Sequence, residues 1–431
     1  MNTKKMAFYC FMLLLSSSRI LAQNNSSTSL MQTDSTIMHI NGEGTFIRLG
    51  KAEGTKINFL TAVQSGVQYN QLDSNGIKSN TNRMSLNLVR ISITASGYKD
   101  KMSMGIMTDL TGTSPILEGW VGLSMFKKRA KFILGQKQTN TNNRLAMSDE
   151  RYAQYLGQTI AGKSNDGVVN GGLAQNFVGA SREGGLFLES NFKINNWKIY
   201  PSVSLTTGEG QNFFSSQSNK GLKYGGRLDI MPFGDFINNN AFIAQDIYRE
   251  KKPKLAIGIA ASINKKASSS IGSENATISG IYNLAGVADF ADYRKLAADF
   301  IFKYNGFSVV GEYMNGNVVG KDLFTNITAT NKLTEQAASN YYNLGNATNI
   351  QSSYITKNGW SVDGRYTMVK PEFEVDNSLI HPQTWISAGV NKFIKNNSVK
   401  IGMNFTYIEN KLKATVTTKK TIVNLGVQIM M

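Results

Sequence analysis

Cysteine is almost missing from this chain. Its one copy, Cys10, lies inside an apolar N-terminal run, and no lipoprotein-type junction follows it. Disulfides and cysteine-based metal sites are therefore not expected in the rest of the chain. Histidine is as scarce, with only His39 and His381. A nucleophile or an activated water needs a positioned base, most often His. His39 falls in a polar lead-in and His381 precedes a proline, so neither belongs to a catalytic constellation and no enzyme is expected. No cofactor and no metal are expected either, because no His, Cys and carboxylate cluster has ligand spacing. Long hydrophobic runs are absent after residue 22: nothing there approaches the ~20 consecutive apolar residues of a transmembrane helix.

What is present begins with a secretory signal. Lys4 and Lys5 precede the apolar run Met6 to Leu15, and Ile20-Leu21-Ala22-Gln23 supplies a cleavage region with the cut expected after Ala22. The chain carries a net charge of +17, and losing Lys4, Lys5 and Arg19 with residues 1–22 leaves +14. Such a basic balance reads either as a solvated surface or as attraction for anionic solutes and lipid headgroups. Nucleic acid is a poor partner for an exported chain. Forty glycines, six prolines and abundant Asn, Ser and Thr fit many short strands with polar turns.

Residues 23–55 read as a flexible lead-in. Regular alternation starts at Lys56, where Ile57, Phe59, Val63, Val67 and Tyr69 share one face and Asn58, Ala62, Gln64 and Gln68 the other. Leu255, Ile257, Ile259, Ala261 and Ile263 repeat the pattern, as do Val399, Ile401, Met403, Phe405 and Tyr407, and then Val423, Leu425, Val427, Ile429 and Met431. No charge interrupts these apolar faces, as a strand facing hydrocarbon requires, since a charge at mid-bilayer costs roughly 2–4 kcal/mol. The alternation predicts sixteen strands: 56–69, 83–98, 101–109, 116–126, 130–138, 184–194, 197–206, 222–231, 254–264, 295–304, 307–314, 350–356, 360–369, 384–393, 398–410 and 419–431. The phase changes near Arg90, which suggests a bulge.

Connections give an independent check. Short turns follow even strands, such as Lys99-Asp100, Asn195-Asn196 and Asn305-Gly306; the exception is 232–253. The longest connections, 70–82, 139–183, 207–221, 265–294 and 315–349, follow odd strands. That parity is the outer-membrane pattern of short periplasmic turns and long external loops. Tyr98, Phe126, Phe192, Trp197, Tyr304, Phe307, Trp360 and Phe393 cluster beside the short turns and read as an interfacial girdle. The fold expected over 56–431 is therefore an all-β, 16-stranded antiparallel transmembrane β-barrel, in preference to a soluble sandwich.

Several segments resemble the phosphate-selective porin family (porins O and P). The stretch from Ala298 through Asp299, Lys303-Tyr304, Gly306 and Gly311-Glu312-Tyr313 is similar to that family's strand–turn–strand. So are Gly226-Arg227-Leu228-Asp229 to Gly234, Lys252-Pro253-Lys254-Leu255 with Gly258, Gly135-Gln136-Lys137, Arg365-Tyr366 with Pro371, and Gly389-Val390-Asn391 leading to Lys400. The resemblance implies a sixteen-stranded homotrimeric porin and makes phosphate a candidate solute. Such barrels often end in an aromatic residue, whereas this sequence ends Ile429-Met430-Met431.

In a porin the chemistry lies in the lining, where pore width and inward charge set selectivity. With the apolar faces outward, the inward bases are Arg90, Lys131, Lys137, Arg227, Lys254, Lys303, Arg365, Lys392 and Lys400. The inward acids are Glu118, Asp229, Asp299, Glu312 and Asp363. Arg227 with Asp229, and Asp363 with Arg365, share a face two residues apart and are candidates to pair. The surplus of bases favours anions; the plainer reading is a ladder of ion pairs filling the wall. The expected function is passive diffusion of small hydrophilic solutes through the outer membrane, with an anion preference. An adhesin or secretion partner built on the barrel is the alternative. Loop 139–183, with Arg144, Arg151, Lys163 and Arg182, suits either a constriction inside the lumen or a surface loop. Gly157 to Ser164 matches the phosphate-loop pattern, but Asn165-Asp166-Gly167 would break the helix that motif needs, so the match reads as chance.

Overall fold

The computed structural model describes residues 36–40, 43–50, 54–111, 116–147, 182–212, 220–271, 278–320, 322–413 and 416–431. The N-terminal segment contributes β1 (Thr36–Ile40) and β2 (Gly44–Leu49). The wall then runs β3 (Thr55–Ser74), β4 (Ile77–Gly97), β5 (Met102–Asp109), β6 (Ile116–Met125), β7 (Ala130–Gln138), β8 (Arg182–Ser190), β9 (Phe192–Ile194) and β10 (Trp197–Thr206). It continues with β11 (Lys223–Met231), β12 (Lys254–Asn264), β13 (Asp292–Tyr304), β14 (Phe307–Val319), β15 (Gly345–Ile355), β16 (Trp360–Pro371), β17 (Gln383–Ile394), β18 (Val399–Lys413) and β19 (Val416–Met430).

Each wall strand pairs antiparallel with the next, and β19 returns to pair with β3 from Met430↔Ala62 to Thr418↔Ser74. Both β8 and β9 pair with β10, so together they form one interrupted stave. The result is a closed barrel of sixteen antiparallel staves. Closure leaves no long sheet edge in the wall, which is what a strand-built membrane span requires.

Alternation fixes which face is which. On β12, Ala256, Gly258, Ala260 and Ser262 are buried inward, while Ile257, Ile259 and Ala261 are exposed outward. On β18, Lys400, Asn404 and Thr406 point inward, and Ile401, Met403 and Phe405 outward. A continuous exposed band of Ile, Val, Leu and Phe cannot face water around a whole barrel; it faces hydrocarbon.

The strand count stands, but several boundaries move. The external loop expected over 70–82 is instead strand. β3 and β4 run on to a two-residue turn, Asn75-Gly76, with φ of 52° and 85°. Left-handed φ at both central positions is the geometry that Asn-Gly accommodates in tight hairpins. β18 and β19 likewise extend to Lys413 and Val416. The bulge expected near Arg90 falls at Asn87: Gln64 faces Leu88 and Ser65 faces Leu86, leaving Asn87 as the extra residue.

The lead-in also differs at 36–49. There β1 and β2 form a hairpin, and β2 continues the wall by pairing with the start of β3, from Thr45↔Phe59 to Leu49↔Thr55. Its Glu43 accepts hydrogen bonds from Asn238 Nδ2 (2.9 Å) and the Tyr248 hydroxyl (3.2 Å) of the 232–253 connection.

The short-turn end is tied by side chains as well as by backbone. The Asp100 carboxylate accepts from Lys128 Nζ and Lys56 Nζ, each at 2.8 Å, and from Ser96 Oγ at 3.0 Å. Lys128 first, then Lys56 and Ser96, hold that carboxyl well below the usual carboxylate range. A depressed acid stabilises the fold above its unfolded value and ceases to as pH falls through the folded one. The site is open to water, so Asp100→Asn is expected to cost under about 1 kcal/mol at neutral pH, and nothing in strong acid. Urea unfolding in lipid vesicles at the two pH values measures this.

At the long-loop end, the described parts of connections 265–291 and 320–344 pack together over the wall around Ala267, Ile281, Tyr293, Leu323 and Tyr342. The Tyr342 hydroxyl accepts from Ala291 N (2.9 Å) and donates to Ala267 O (3.0 Å), closing the cluster.

Candidate functional site

The barrel lumen gathers the charged residues, and two inserted segments organise it. The first enters from the long-loop end after β7. Of it, residues 139–147 are described, and they lie buried against the wall. Arg144 is fully buried. Its backbone N–H donates to Asp299 Oδ2 (3.0 Å) and its Nε to Asp299 Oδ1 (3.1 Å), while its Nη2 bonds Asp229. Arg227 meets the same acids: Nη1 and Nη2 reach Asp299 at 2.8 Å, and Nε reaches Asp229 Oδ2 at 2.7 Å. Arg227 Nη1 also donates to Asn142 O at 2.9 Å. Two guanidinium groups and two carboxylates thus neutralise one another. This mutual pairing offsets the cost of burying the four charges.

The tetrad needs space that only glycine leaves. A Cβ at Gly258 would sit 1.9 Å from Arg227 Nη2 and 2.8 Å from Asp229 Oδ1. β12 therefore supplies an empty position opposite Asp229, its register partner.

The second insertion enters from the short-turn end. It is the 232–253 connection, whose length already broke the sequence parity. Phe236, Ala241, Ile243, Ala244 and Ile247 of this segment are buried. Lys303, fully buried on β13, donates to Asn240 O (2.6 Å), Asn240 Oδ1 (2.8 Å) and Gln245 O (2.6 Å). An ammonium has three N–H donors, and here the insertion accepts all three. Gln245 Nε2 donates to Asp363 (3.1 Å), and Ser308 Oγ to Ala244 O (2.7 Å). The two insertions meet: Leu145 packs with Phe236, Ala241 and Ala244, and the Arg144 guanidinium lies 5.5 Å from the Phe242 ring centre. A cavity of about 450 Å³ remains beside them, bordered by Glu118, Lys137, Glu189, Tyr200, Asp229 and Phe242.

The sequence-derived lining falls into place unevenly. Arg90 is inward and pairs with Asp109 at 3.0 Å. Lys131 lies 4.4 Å from the Trp120 ring centre, and Lys137 pairs with Glu189. Lys254 Nζ donates to Phe233 O at 2.9 Å. Glu118 accepts from Arg182 Nε at 3.4 Å. Glu312 accepts from Asn349 Nδ2 at 2.9 Å. Lys400 is inward and buried.

Two expectations are corrected. Lys392 is not in the lining. It shares the outward face with Ile386, Ala388 and Val390, while Phe393 is buried. Its Nζ donates to Asn358 O (2.5 Å) and lies 5.1 Å from the Trp360 ring centre. A lysine at a strand end reaches the membrane interface along its own stem. The Asp363–Arg365 pair does not form either. Asp363 is held by Ser361 Oγ (2.9 Å), Gln245 and Asn391, while Arg365 donates to Ser387 Oγ at 3.4 Å. Asp363 faces the insertion instead of its strand neighbour.

Sequence reasoning also missed inward groups. Lys223 and Glu183 pair at 2.6 Å, and Lys295 reaches Asn142 Oδ1 at 3.3 Å. The period already held Lys223 and Lys295: each lies four residues before a named inward residue, Arg227 and Asp299. Of the named inward bases, Arg90, Lys137 and Arg227 sit in ion pairs, as do Arg144, Arg182 and Lys223, so part of the inward positive charge is met inside the wall. The phosphate-loop match at 157–164, and Arg151 and Lys163, lie outside the described residues.

No family model matches the chain, and no curated protein matches it. Among solved structures it is similar to the outer membrane channel DcaP of Acinetobacter baumannii, with a TM-score of 0.52 and 10% identity over 88% of this chain and 99% of that one. It is similar also to a loop L8 deletion mutant of OmpT, an outer membrane protein of Vibrio cholerae, with a TM-score of 0.50 and 10% identity over 88% and 99% of the two chains. At that identity the likeness is one of fold: a transmembrane β-barrel of the outer-membrane type.

Proposed function

We propose that this barrel is an outer-membrane porin, exported by the signal in residues 1–22, through which small hydrophilic solutes diffuse passively. The observation that carries the reading is the polar inward face of a closed sixteen-stave barrel, with a cavity beside two inserted segments. A barrel of that size leaves an aqueous path when its interior is polar. The structural likeness to an outer membrane channel points the same way. The short-turn end is periplasmic and the long-loop end external. The resemblance to porins extends the reading to a homotrimer.

We further propose an anion preference, with phosphate as one candidate. Ion pairing takes Arg90, Lys137 and Arg227 out of the argument, and Arg365 is what supports it. It is almost fully buried, and among the described residues its Nε and Nη1 have no hydrogen-bond partner. Buried guanidinium donors left unmade are costly, and an oxyanion satisfies them well. Conductance across a planar bilayer with unequal KCl on the two sides tests this. The reversal potential is expected to have the anion-selective sign, to move toward zero in Arg365→Gln, and inorganic phosphate is expected to reduce the chloride current. A cation-selective potential removes the anion clause while leaving the channel.

A further inference from the structure

The outward face carries a feature that a uniform lipid-facing wall does not need. Register aligns Val203 on β10, Gly226 on β11, Ala261 on β12 and Leu296 on β13 in a single row across four strands. Two small residues therefore lie between two large ones. Neighbouring strands are about 4.8 Å apart, so the gap is wide enough for one hydrocarbon chain. Together with Tyr224 these residues border an open groove of about 640 Å³.

The groove has a charged end. Below it on β13, the outward residues Leu296, Ala298, Phe300, Phe302 and Tyr304 are all apolar or aromatic. They cover the 9–11 residues that a tilted strand uses to cross a membrane. Arg294 is the next outward residue toward the long loops, opposite Asn317 on β14. It is exposed and has no hydrogen bond or ion pair among the described residues. An unpaired guanidinium at the margin of the apolar band stands at headgroup depth, where a phosphate completes it.

We propose that this groove is a binding site for a phosphorylated lipid of the outer leaflet, lipid A, with one acyl chain over Gly226 and Ala261 and a phosphate on Arg294. Charge complementarity and the length of the apolar span select this occupant over a second protein chain. The site requires the barrel to span a membrane with its long loops outward, but not that it conduct.

The test is native mass spectrometry of the detergent-purified full chain titrated with bisphosphorylated lipid A, with phosphatidylglycerol as the comparison. Wild type is expected to retain lipid A in preference to phosphatidylglycerol. Arg294→Gln is expected to bind about fivefold more weakly, the usual effect of one cation at a charged lipid surface. Ala261→Phe, which fills the slot, is expected to lose the adduct. Both variants should keep wild-type conductance, because the groove lies outside the lumen. Ala261→Leu serves if Ala261→Phe fails to fold. Lipid A binding unchanged by both groove variants overturns the proposal, as does equal retention of phosphatidylglycerol. A wild type that binds lipid A but passes no current defeats the channel reading alone.

Discussion

Replacing residues 236–250 by a two-residue turn is expected to enlarge the channel. That segment is the inner insertion, and every other connection at its end of the barrel is a tight turn, as at Asn305-Gly306 or Asn195-Asn196. The barrel wall does not depend on it. β11 and β12 pair directly from Ile230↔Ile257 upward, and β12 pairs with β13 along its length. Removing it empties the lumen in front of Lys303, Ser308 and Asp363. Water then replaces the carbonyls that held the Lys303 ammonium, so no ion is left dry. Single-channel conductance is expected to rise roughly twofold or more, since pore width sets the current. Unchanged conductance would place the current path elsewhere.

The second large effect concerns the tetrad. Arg144→Ala leaves Asp229 and Asp299 with Arg227 alone, two buried carboxylates for one guanidinium. Removing one member of a buried ionic group costs about 3–5 kcal/mol when the survivors stay dry. Here they need not. Residues 139–147 hang on the wall through the polar contacts of Arg144, Asn142 and Asn140 and the apolar contacts of Leu145 and Ala146. The economical response is release of the segment, which readmits water to the acids. The expected signature is new protease sensitivity after β7 and noisier, larger current steps, with barrel closure preserved in a heat-modifiability gel. Asp299→Asn is expected to act in the same direction and less strongly, because Asp229 still holds both arginines. A variant with wild-type protease resistance and quiet steps would show that the apolar contacts of Leu145 suffice.

How much of this was legible beforehand follows the range of the forces involved. The wall is local. A period of two, written in Leu255 to Ile263 or Val399 to Tyr407, is fixed by the pleat, and it gave the sixteen staves and their closure. The Asn75-Gly76 turn was equally local, yet the polar residues around it read as a loop. Exposed strand beyond the membrane has no apolar face to alternate. Lys392 keeps the phase of Ile386, Ala388 and Val390, so the period itself places it outward; its charge alone argued for the lumen, and a long side chain at a strand end satisfies that charge at the interface. The lumen is not local. Arg144 and Asp299 are separated by 155 positions and Arg227 and Asp299 by 72. No periodicity links them. The 232–253 segment announced itself only by its length, since its burial depends on partners on β13, β14 and β16. Most inward residues were therefore readable as inward, but their pairing was not, and pairing is what meets part of the inward positive charge.

The central claim is that solutes cross through the lumen of this barrel, and liposome swelling tests it most directly. Full-length protein reconstituted into vesicles and mixed with iso-osmotic sugars should give swelling rates that fall steadily with solute size, faster for the variant lacking 236–250 at every size. Vesicles that stay impermeable to the smallest sugar, with wild type and variant alike, would contradict the account.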